Sequence, residues 1–341
     1  MSNKPPYTIT VNAASHLAKI VEGITRLELG TNFKRNIKLH RANRLRAIYS
    51  SLAIEGNLLS LDEVTDVIEG KIVADTQTEI KEVKNAYEAY DKIMTYDPYA
   101  VSEFLRAHKF MTDGLVKESG RFRSKDIGVF DGNRLIHVGA RPQFVPRLVD
   151  ELFAWAKESD LHSVLKSAIL HYEIEMIHPF EDGNGRMGRL WQTLVLAKWN
   201  PIFAWLPMES VLFQKRPQYY QAIEDSRKPN DSGVFIEFTL LAILDVILSQ
   251  MKHQFELTET QLAVLKSLQS GKLSRKEIFA AIDLAGDSRA FSRHIAPLLS
   301  DGLIEMTNSE KPNSRMQKYR LTENARHHLP NPDHGGVKCE T

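Results

Sequence analysis

Thirteen consecutive residues constrain this chain more than any other part of it: Ile177-His178-Pro179-Phe180-Glu181-Asp182-Gly183-Asn184-Gly185-Arg186-Met187-Gly188-Arg189. The run holds an imidazole, an acid four residues later, glycines on either side of an asparagine, and two guanidiniums three residues apart. Before it, from Leu161 to Ile177, apolar residues recur at helical spacing through Leu161, Val164, Leu165, Ala168, Ile169, Tyr172 and Met176. Pro179 cannot continue that helix, because it lacks an N–H and disfavours helical backbone in its predecessor. His178 is therefore expected at a helix C-terminus, with its ring aimed into the loop. Leu190, Trp191, Leu194, Val195 and Ala197 restore the helical pattern, with Asn184 as the expected N-cap. A Gly-Asn-Gly turn opening a helix offers backbone N–H groups at the positive end of the helix dipole, which makes an anion site. Arg186 and Arg189, one turn apart, are expected to reach the same anion. Asp182 is placed to hold a hard cation bridging phosphates, and His178 to act as general base beside them.

Three plainer readings compete. Gly183 to Gly188 also fits the dinucleotide pattern G-x-G-x-x-G, but that pattern needs a buried strand before it. Here an amphipathic helix carrying Glu173 and Glu175 precedes. A surface turn does not account for two arginines and a histidine together. A zinc site on His171 and His178 lacks both H-E-x-x-H spacing and cysteine ligands.

The same stretch resembles the signature of the Fic family, H-x-F-x-(D/E)-G-N-G-R-x-x-R. His178, Phe180, Asp182, Gly183, Asn184, Gly185, Arg186 and Arg189 stand at its defined positions. The resemblance implies a mainly α-helical bundle that transfers AMP from ATP to a Ser, Thr or Tyr hydroxyl of a target protein. It implies His178 as catalytic base, Mg²⁺ on Asp182, and a nucleotide held along Gly183, Asn184, Gly185, Arg186, Met187, Gly188 and Arg189. Phe180 is expected to anchor the loop. A Tyr-Tyr pair beyond the motif lies beside adenosine in the family, so Tyr219 and Tyr220 are carried over as nucleotide contacts. Arg227 stands where some relatives have asparagine. No G-x-x-x-x-G-K-(S/T) occurs in the chain, so a P-loop is excluded.

Upstream, Ser51 and Glu55 share a helix face and Gly56-Asn57 is a natural helix stop. Taken alone, this is a helix end. Beside the Fic signature, Ser51, Glu55 and Gly56 resemble the family's inhibitory motif, (S/T)-x-x-x-E-(G/N). The resemblance implies self-inhibition in cis, with Glu55 on an inhibitory helix (about residues 45–57) pairing with Arg189 and taking it from the γ-phosphate. Three alternatives stay open: removal of AMP from a modified protein at the same site, transfer of another nucleotide, and a winged-helix DNA-binding regulator whose Fic domain only senses nucleotide.

The rest of the chain supports a soluble protein of more than one domain. Lys and Arg number 44 against 43 Asp and Glu, so no general pull toward nucleic acid or membrane is expected. The single Cys339 excludes an internal disulfide framework and suits a reducing, cytoplasmic compartment. No leader is expected at the N-terminus, and Phe238 to Leu248, the most apolar helix, reads as too short to span a bilayer.

Residues 1–100 read as an N-terminal helical region, with a basic run Lys34 to Arg41 and then Arg44 and Arg46 on a solvated face. Helices are expected from Leu61, over Glu79 to Met94, and over Phe104 to Val116, packing around the central helices, and residues 101–250 read as the catalytic core. Short β-rich runs around Asp131-Gly132-Asn133 give a hairpin. It resembles the family's flap (about 126–146), with Gly120 and Arg123 among its surroundings, on which a target docks by strand addition.

Residues 255–326 read as three helices, with Ser274 and Ser288 as N-caps, then strands around Leu303–Met306 and Lys318–Leu321. That is a winged helix-turn-helix pattern. Arg289, Ser292, Arg293 and His294 on its third helix, and Lys311, Arg315 and Lys318 on its wing, could meet DNA. Eleven Lys and Arg against nine Asp and Glu over 255–326 is a weak charge for a DNA reader, so protein interaction or a homodimer is the competing role. The tail, 327–341, is expected to be disordered. ATP, a protein target and self-modification complete the expected partners.

Overall fold

The computed structural model describes residues 4–29, 37–131, 134–254, 258–300, 302–308, 314, 316–322 and 325. The expectations for Lys34 to Asn36, Asn133, Lys311, Arg315, Cys339 and the tail lie outside the described residues. The chain forms two compact units, Met1–Thr25 with Ile37–Gln250, and Arg26–Asn36 with Met251–Thr341. The architecture is mainly helical, as the signature implies.

In the larger unit the centre is a helix pair, α7 (Ser163–Ile177) and α8 (Asn184–Trp199), joined by the His178–Gly183 loop. The sequence suggests that α7 is amphipathic. Instead it is buried nearly all round, including Lys166, Ser167 and His171, because other helices cover it on every side. Around the pair lie α1 (Val11–Leu29), α2 (Ile37–Ile54), α3 (Leu61–Ile68), α4 (Gln77–Asp91), α5 (Val101–Thr112), α6 (Val145–Glu158), α9 (Met208–Gln214), α10 (Arg216–Arg227) and α11 (Gly233–Gln254). Ser60 and Thr76 cap α3 and α4 with their side chains, which fixes both starts. Between α5 and α8 sits an aromatic cluster of Phe104, Phe153, Phe180 and Trp191, with ring centroids 4.9–5.9 Å apart.

Two expectations are corrected here. α11 is longer than the Phe238–Leu248 core, and Gly233–Met251 is long and apolar enough to cross a membrane by length and composition, with mean hydropathy 1.9. Half of that window is buried in the fold, and Phe235, Ile236, Leu240, Ile243, Val246 and Ile247 are core residues. The basic run is not uniformly solvated. Arg41 does pair with Glu69 at the surface, but Arg44 is buried, donates to the carbonyls of Tyr90 and Ala204, and lies over the Trp205 ring.

The flap is an antiparallel pair, β1 (Gly128–Asp131) and β2 (Arg134–Val138), with a register shift at Val129/Phe130. Its roots are tied to the α7–α8 loop. The Arg123 amide donates to Pro179 O at 3.0 Å and the Ala140 amide to Ile177 O at 3.2 Å.

The smaller unit contains α12 (Glu259–Ser267), β3 (Leu273–Ser274), α13 (Arg275–Ala281), α14 (Ser288–Ala290), a π-helical turn Phe291–Ile295, α15 (Ala296–Ser300), β4 (Ile304–Met306) and β5 (Lys318–Leu321). Its sheet order is β3-β5-β4, all antiparallel, around a core of Val264, Leu265, Ile278, Phe279, Leu298 and Tyr319. Ser274 caps α13, but the third helix is capped by Asp287 and not by Ser288, through its carboxylate on the Ala290 amide. Arg289, Ser292 and Arg293 are exposed on that helix, whereas His294 is half-buried. Lys318 is 3.9 Å from Glu277.

Candidate active site

His178 ends α7 in the left-handed conformation, with φ 51° and ψ 63°. Its amide still donates to Ile174 O at 2.9 Å, and ring Nδ1 lies 3.3 Å from Glu175 O. A non-glycine residue in this region is strained, and the surrounding loop holds it there. Arg123 is the clamp. Its Nε donates to His178 O at 2.7 Å, Nη1 to Lys125 O at 2.7 Å and Nη2 to Ala140 O. One buried guanidinium thus joins both flap roots to the His178 backbone. Gly139 passes between them so closely that a Cβ would lie 2.8 Å from Arg123 Nη2 and 3.1 Å from His178 Cβ.

The second helix does not start as the sequence suggests. Gly183, at φ 82°, is the N-cap of α8, and Asn184 is already helical. The Asn184 side chain reaches back instead, accepting from the Phe180 amide at 2.8 Å and donating to Phe180 O at 3.0 Å. That pair closes the loop. Beneath it, the fully buried Phe180 ring stacks on His108, with centroids 3.7 Å apart. His108 Nδ1 accepts from the Gly120 amide at 3.0 Å, which leaves Nε2–H to donate to Asp182 O at 3.0 Å. Burial pushes the His108 pKa down to about 4, so the ring is neutral and both bonds hold. Sequence reasoning missed His108. Its only signal was a histidine on the buried face of α5.

The two arginines turn to different carboxylates, contrary to the expectation of one shared anion. Arg186 pairs with Asp182 at 3.0 Å and Glu82 at 3.3 Å. Arg189, 1% exposed, donates Nη2 to Glu55 Oε1 at 2.7 Å and to Ser51 O at 3.0 Å, and Nε to Ser51 Oγ at 3.0 Å. Burial alone would depress the Arg189 pKa, but the charges of Glu55 and Glu175 and the bond to Glu55 reverse this and raise it.

Glu55 is delivered by the end of α2. Asn57 N donates to Leu52 O and Gly56 N to Ala53 O, with Gly56 at φ 95°, so Glu55 is the C-cap of a Schellman turn. The Glu55 carboxylate then lies directly over Gly185, where a Cβ would collide with it. It therefore sits at the N-terminus of α8, where helix amides and a guanidinium favour an anion. Arg189 Nη1, which lies beside Gly185, and Arg186 Nε are buried without a hydrogen-bond partner among the described residues, so both arginines keep donor capacity.

Asp182 is well exposed, with Oδ2 on Arg186 and Oδ1 on the Gly183 amide at 2.5 Å. No cluster of three metal-ligating residues occurs among the described residues. A single accessible carboxylate beside an anion cradle fits Mg²⁺ held by one protein oxygen and substrate phosphates, and does not fit an all-protein cage.

Met187 is fully buried, and Gly188 faces His171 and Glu175, with no room for a Cβ. Tyr219 is buried, its hydroxyl 3.0 Å from His171 Nε2 and 3.4 Å from Glu175 Oε1, while His171 Nδ1 lies 2.5 Å from Gln192 Oε1. Burial raises the Tyr219 pKa well above the usual phenol value, and Glu175 adds to this. Tyr220, 44% exposed, is the tyrosine open to a ligand. Arg227 is spent on Glu224 at 2.8 Å.

The Fic/DOC family model matches residues 98–196, and the model "Filamentation induced by cAMP protein Fic-like, C-terminal domain" matches 260–322. A crystal structure of a Fic family protein from Desulfovibrio desulfuricans G20 is 38% identical, with a TM-score of 0.72 over 94% of this chain and 98% of that one. Fic-1 from Caenorhabditis elegans shares the fold, with a TM-score of 0.54 at 20% identity over 70% of this chain and 74% of that one. Among curated relatives, "Protein adenylyltransferase Fic" of Nematostella vectensis is 29% identical over 202 residues, 56% of this chain. That of Aedes aegypti is 28% identical over 219 residues, 60% of this chain. The matched regions span 45% and 41% of those two proteins.

Proposed function

The chain belongs to the Fic family, and from that premise we propose that it is a protein adenylyltransferase restrained by its own Glu55. The observation that carries this reading is a carboxylate, Glu55, seated on Arg189 over Gly185 at the start of α8. A phosphate would make the same contacts and carries more charge. The relatives named protein adenylyltransferase support ATP as the donor and a protein as the acceptor.

In this reading the α8 amides, Arg186 and Arg189 bind the phosphates of ATP and neutralise the charge that develops on them. Arg186 and Asp182 share an ion pair, so the cradle and the cation ligand are set by one contact. When bound through Asp182, Mg²⁺ would add Lewis-acid charge neutralisation to the phosphates. His178 takes the proton from a target Ser, Thr or Tyr hydroxyl. The hydroxyl oxygen bonds to the α-phosphorus, the α–β bridging bond breaks, and pyrophosphate leaves. Tyr220 lines the adenosine side. Glu55 opposes all of this by holding Arg189, so the resting enzyme binds ATP weakly or unproductively.

His178→Ala in a Glu55→Gly background should stop label transfer from α-labelled ATP while leaving the melting temperature unchanged. Persistent labelling would remove His178 from the role of base. A second reading has one observation behind it. Only Oε1 of Glu55 is bonded, and Oε2 has no partner among the described residues. That oxygen could orient a water for hydrolysis of an AMP–protein ester at the same site.

A further inference from the structure

Between the two roots of the flap lies an open cavity of about 930 Å³ lined by Arg123, Ser124, Lys125, Asp126, Arg141 and Gln143, with Pro142. Three cations and one acid line it. The Arg123 guanidinium donates only to neutral backbone carbonyls, and the single carboxylate acting on its charge is Asp126, which makes no ion pair with it. Lys125 and Arg141 are exposed, and neither makes an ion pair among the described residues. Arg121, at the end of the same segment, is likewise exposed and unpaired among the described residues. Glu118 accepts from the Ser124 amide at 3.0 Å and hydroxyl at 2.7 Å and also feels the charges of Lys125 and Arg121, so Asp126 and Glu118 together stand against four cations, Arg121, Arg123, Lys125 and Arg141.

The groove is also fixed relative to the reacting base. Arg123 donates to Lys125 O and Ala140 O, and to His178 O from the same guanidinium. Arg141 follows Ala140 directly, and the Ala140 amide is bonded to Ile177 O, one residue from His178. A chain whose hydroxyl reaches His178 while it lies along the flap therefore passes this basic groove at a set distance. Two unpaired cations in a focusing cleft favour a partner of opposite sign.

We propose that the groove at the flap roots, with Lys125 and Arg141, selects target segments that carry Asp or Glu beside the modified hydroxyl. This rests on the transfer reading for the identity of the hydroxyl, but the charge preference belongs to the groove. A polypeptide is favoured over a polynucleotide because Asp126 sits among the cations and the groove carries no aromatic ring on which bases could stack.

The test uses the full chain without ATP and fluorescein-labelled 12-residue peptides with a central serine, flanked by Asp and Glu, by Lys and Arg, or by Gly and Asn. Anisotropy should give the acidic peptide an affinity about tenfold above the neutral one at roughly 50 mM salt, the scale of two exposed ion pairs, and the margin should collapse by roughly 500 mM. Lys125→Glu with Arg141→Glu should invert the order, so that the basic peptide binds best and a merely unfolded variant is recognised by losing all three. Binding that ignores peptide charge, no binding of any peptide, or a preference that survives the double charge reversal would overturn the proposal. So would a single-stranded oligonucleotide that binds more tightly than the acidic peptide and is lost in the double variant, since that would assign the groove to nucleic acid. Because no nucleotide is present, these outcomes are independent of whether AMP is the group transferred.

Discussion

Glu55→Gln removes one charge from the site while keeping the side-chain shape. In the wild type, Glu55 Oε1 lies 2.7 Å from Arg189 Nη2, with Arg189 buried and the Glu55 side chain 37% exposed. A hydrogen bond between charged groups contributes about 1.5–3 kcal/mol, and the exposure of one partner discounts this to about 1–2 kcal/mol. An incoming phosphate must displace that bond, so its removal should tighten ATP about five- to thirtyfold. The same loss should lower the stability of the nucleotide-free protein by about 1–2 kcal/mol, a fall of about 2–8 °C in melting temperature for a unit of this size. Glutamine can still accept one bond from Arg189, so the lower half of each range is expected. Calorimetric titration with a non-hydrolysable ATP analogue and Mg²⁺, beside melting curves, reads both quantities. A melting temperature that falls while affinity stays within twofold would mean that the pair is structural and does not compete with phosphate. If neither changes, the pair does not operate in solution.

Three further outcomes follow from the same geometry. His108 is neutral in the fold, with its pKa depressed to about 4, so the unfolded chain binds the extra proton first as pH falls. Its contribution to stability should be intact above about pH 6.5 and lost between 6.5 and 4, by at most about 3 kcal/mol. Burial raises Glu173 to about 7, which gives the opposite slope, so the readout is the difference in pH dependence of melting between wild type and His108→Asn; parallel curves would contradict the assignment. Gly56→Ala forces a side chain into φ 95° and should cost about 1 kcal/mol while raising ATP affinity, because the C-cap position of Glu55 shifts; a stability loss with unchanged affinity would separate the turn from the inhibitory contact. Arg123→Ala removes the clamp shared by Lys125, Ala140 and His178 and should cost at least about 3 kcal/mol in denaturant unfolding, whereas a loss under about 1 kcal/mol would deny it that role.

The helical fold and the identity of the central loop were legible because both depend on local rules. Pro179 had to end α7, and Gly56 had to end α2. What stayed hidden was set by tertiary contacts. The sequence put Asn184 at the N-cap, where asparagine is a favoured residue, but Gly183 takes that position and frees the Asn184 amide to lock Phe180. Spacing on a helix showed that Arg186 and Arg189 share a face, yet it could not show that Glu82 and Asp182 claim one and Glu55 the other. Arg44 and α11 mislead for a related reason. Charge and hydropathy are read along the chain, while burial depends on which helices arrive from elsewhere. His108 and Arg123 act through bonds to backbone atoms, and a bond to a carbonyl leaves no pattern in the sequence of the residue that provides the carbonyl.

The central claim is that Glu55 restrains an AMP-transferring site by occupying its phosphate position. Wild type and Glu55→Gly should be incubated side by side with α-labelled ATP and Mg²⁺, and label scored on the chain itself and on proteins of a cell lysate. The account predicts strong labelling with Glu55→Gly and little with wild type. Equal labelling in both lanes would contradict the restraint, and no label in either lane, with both proteins folded, would contradict AMP transfer itself.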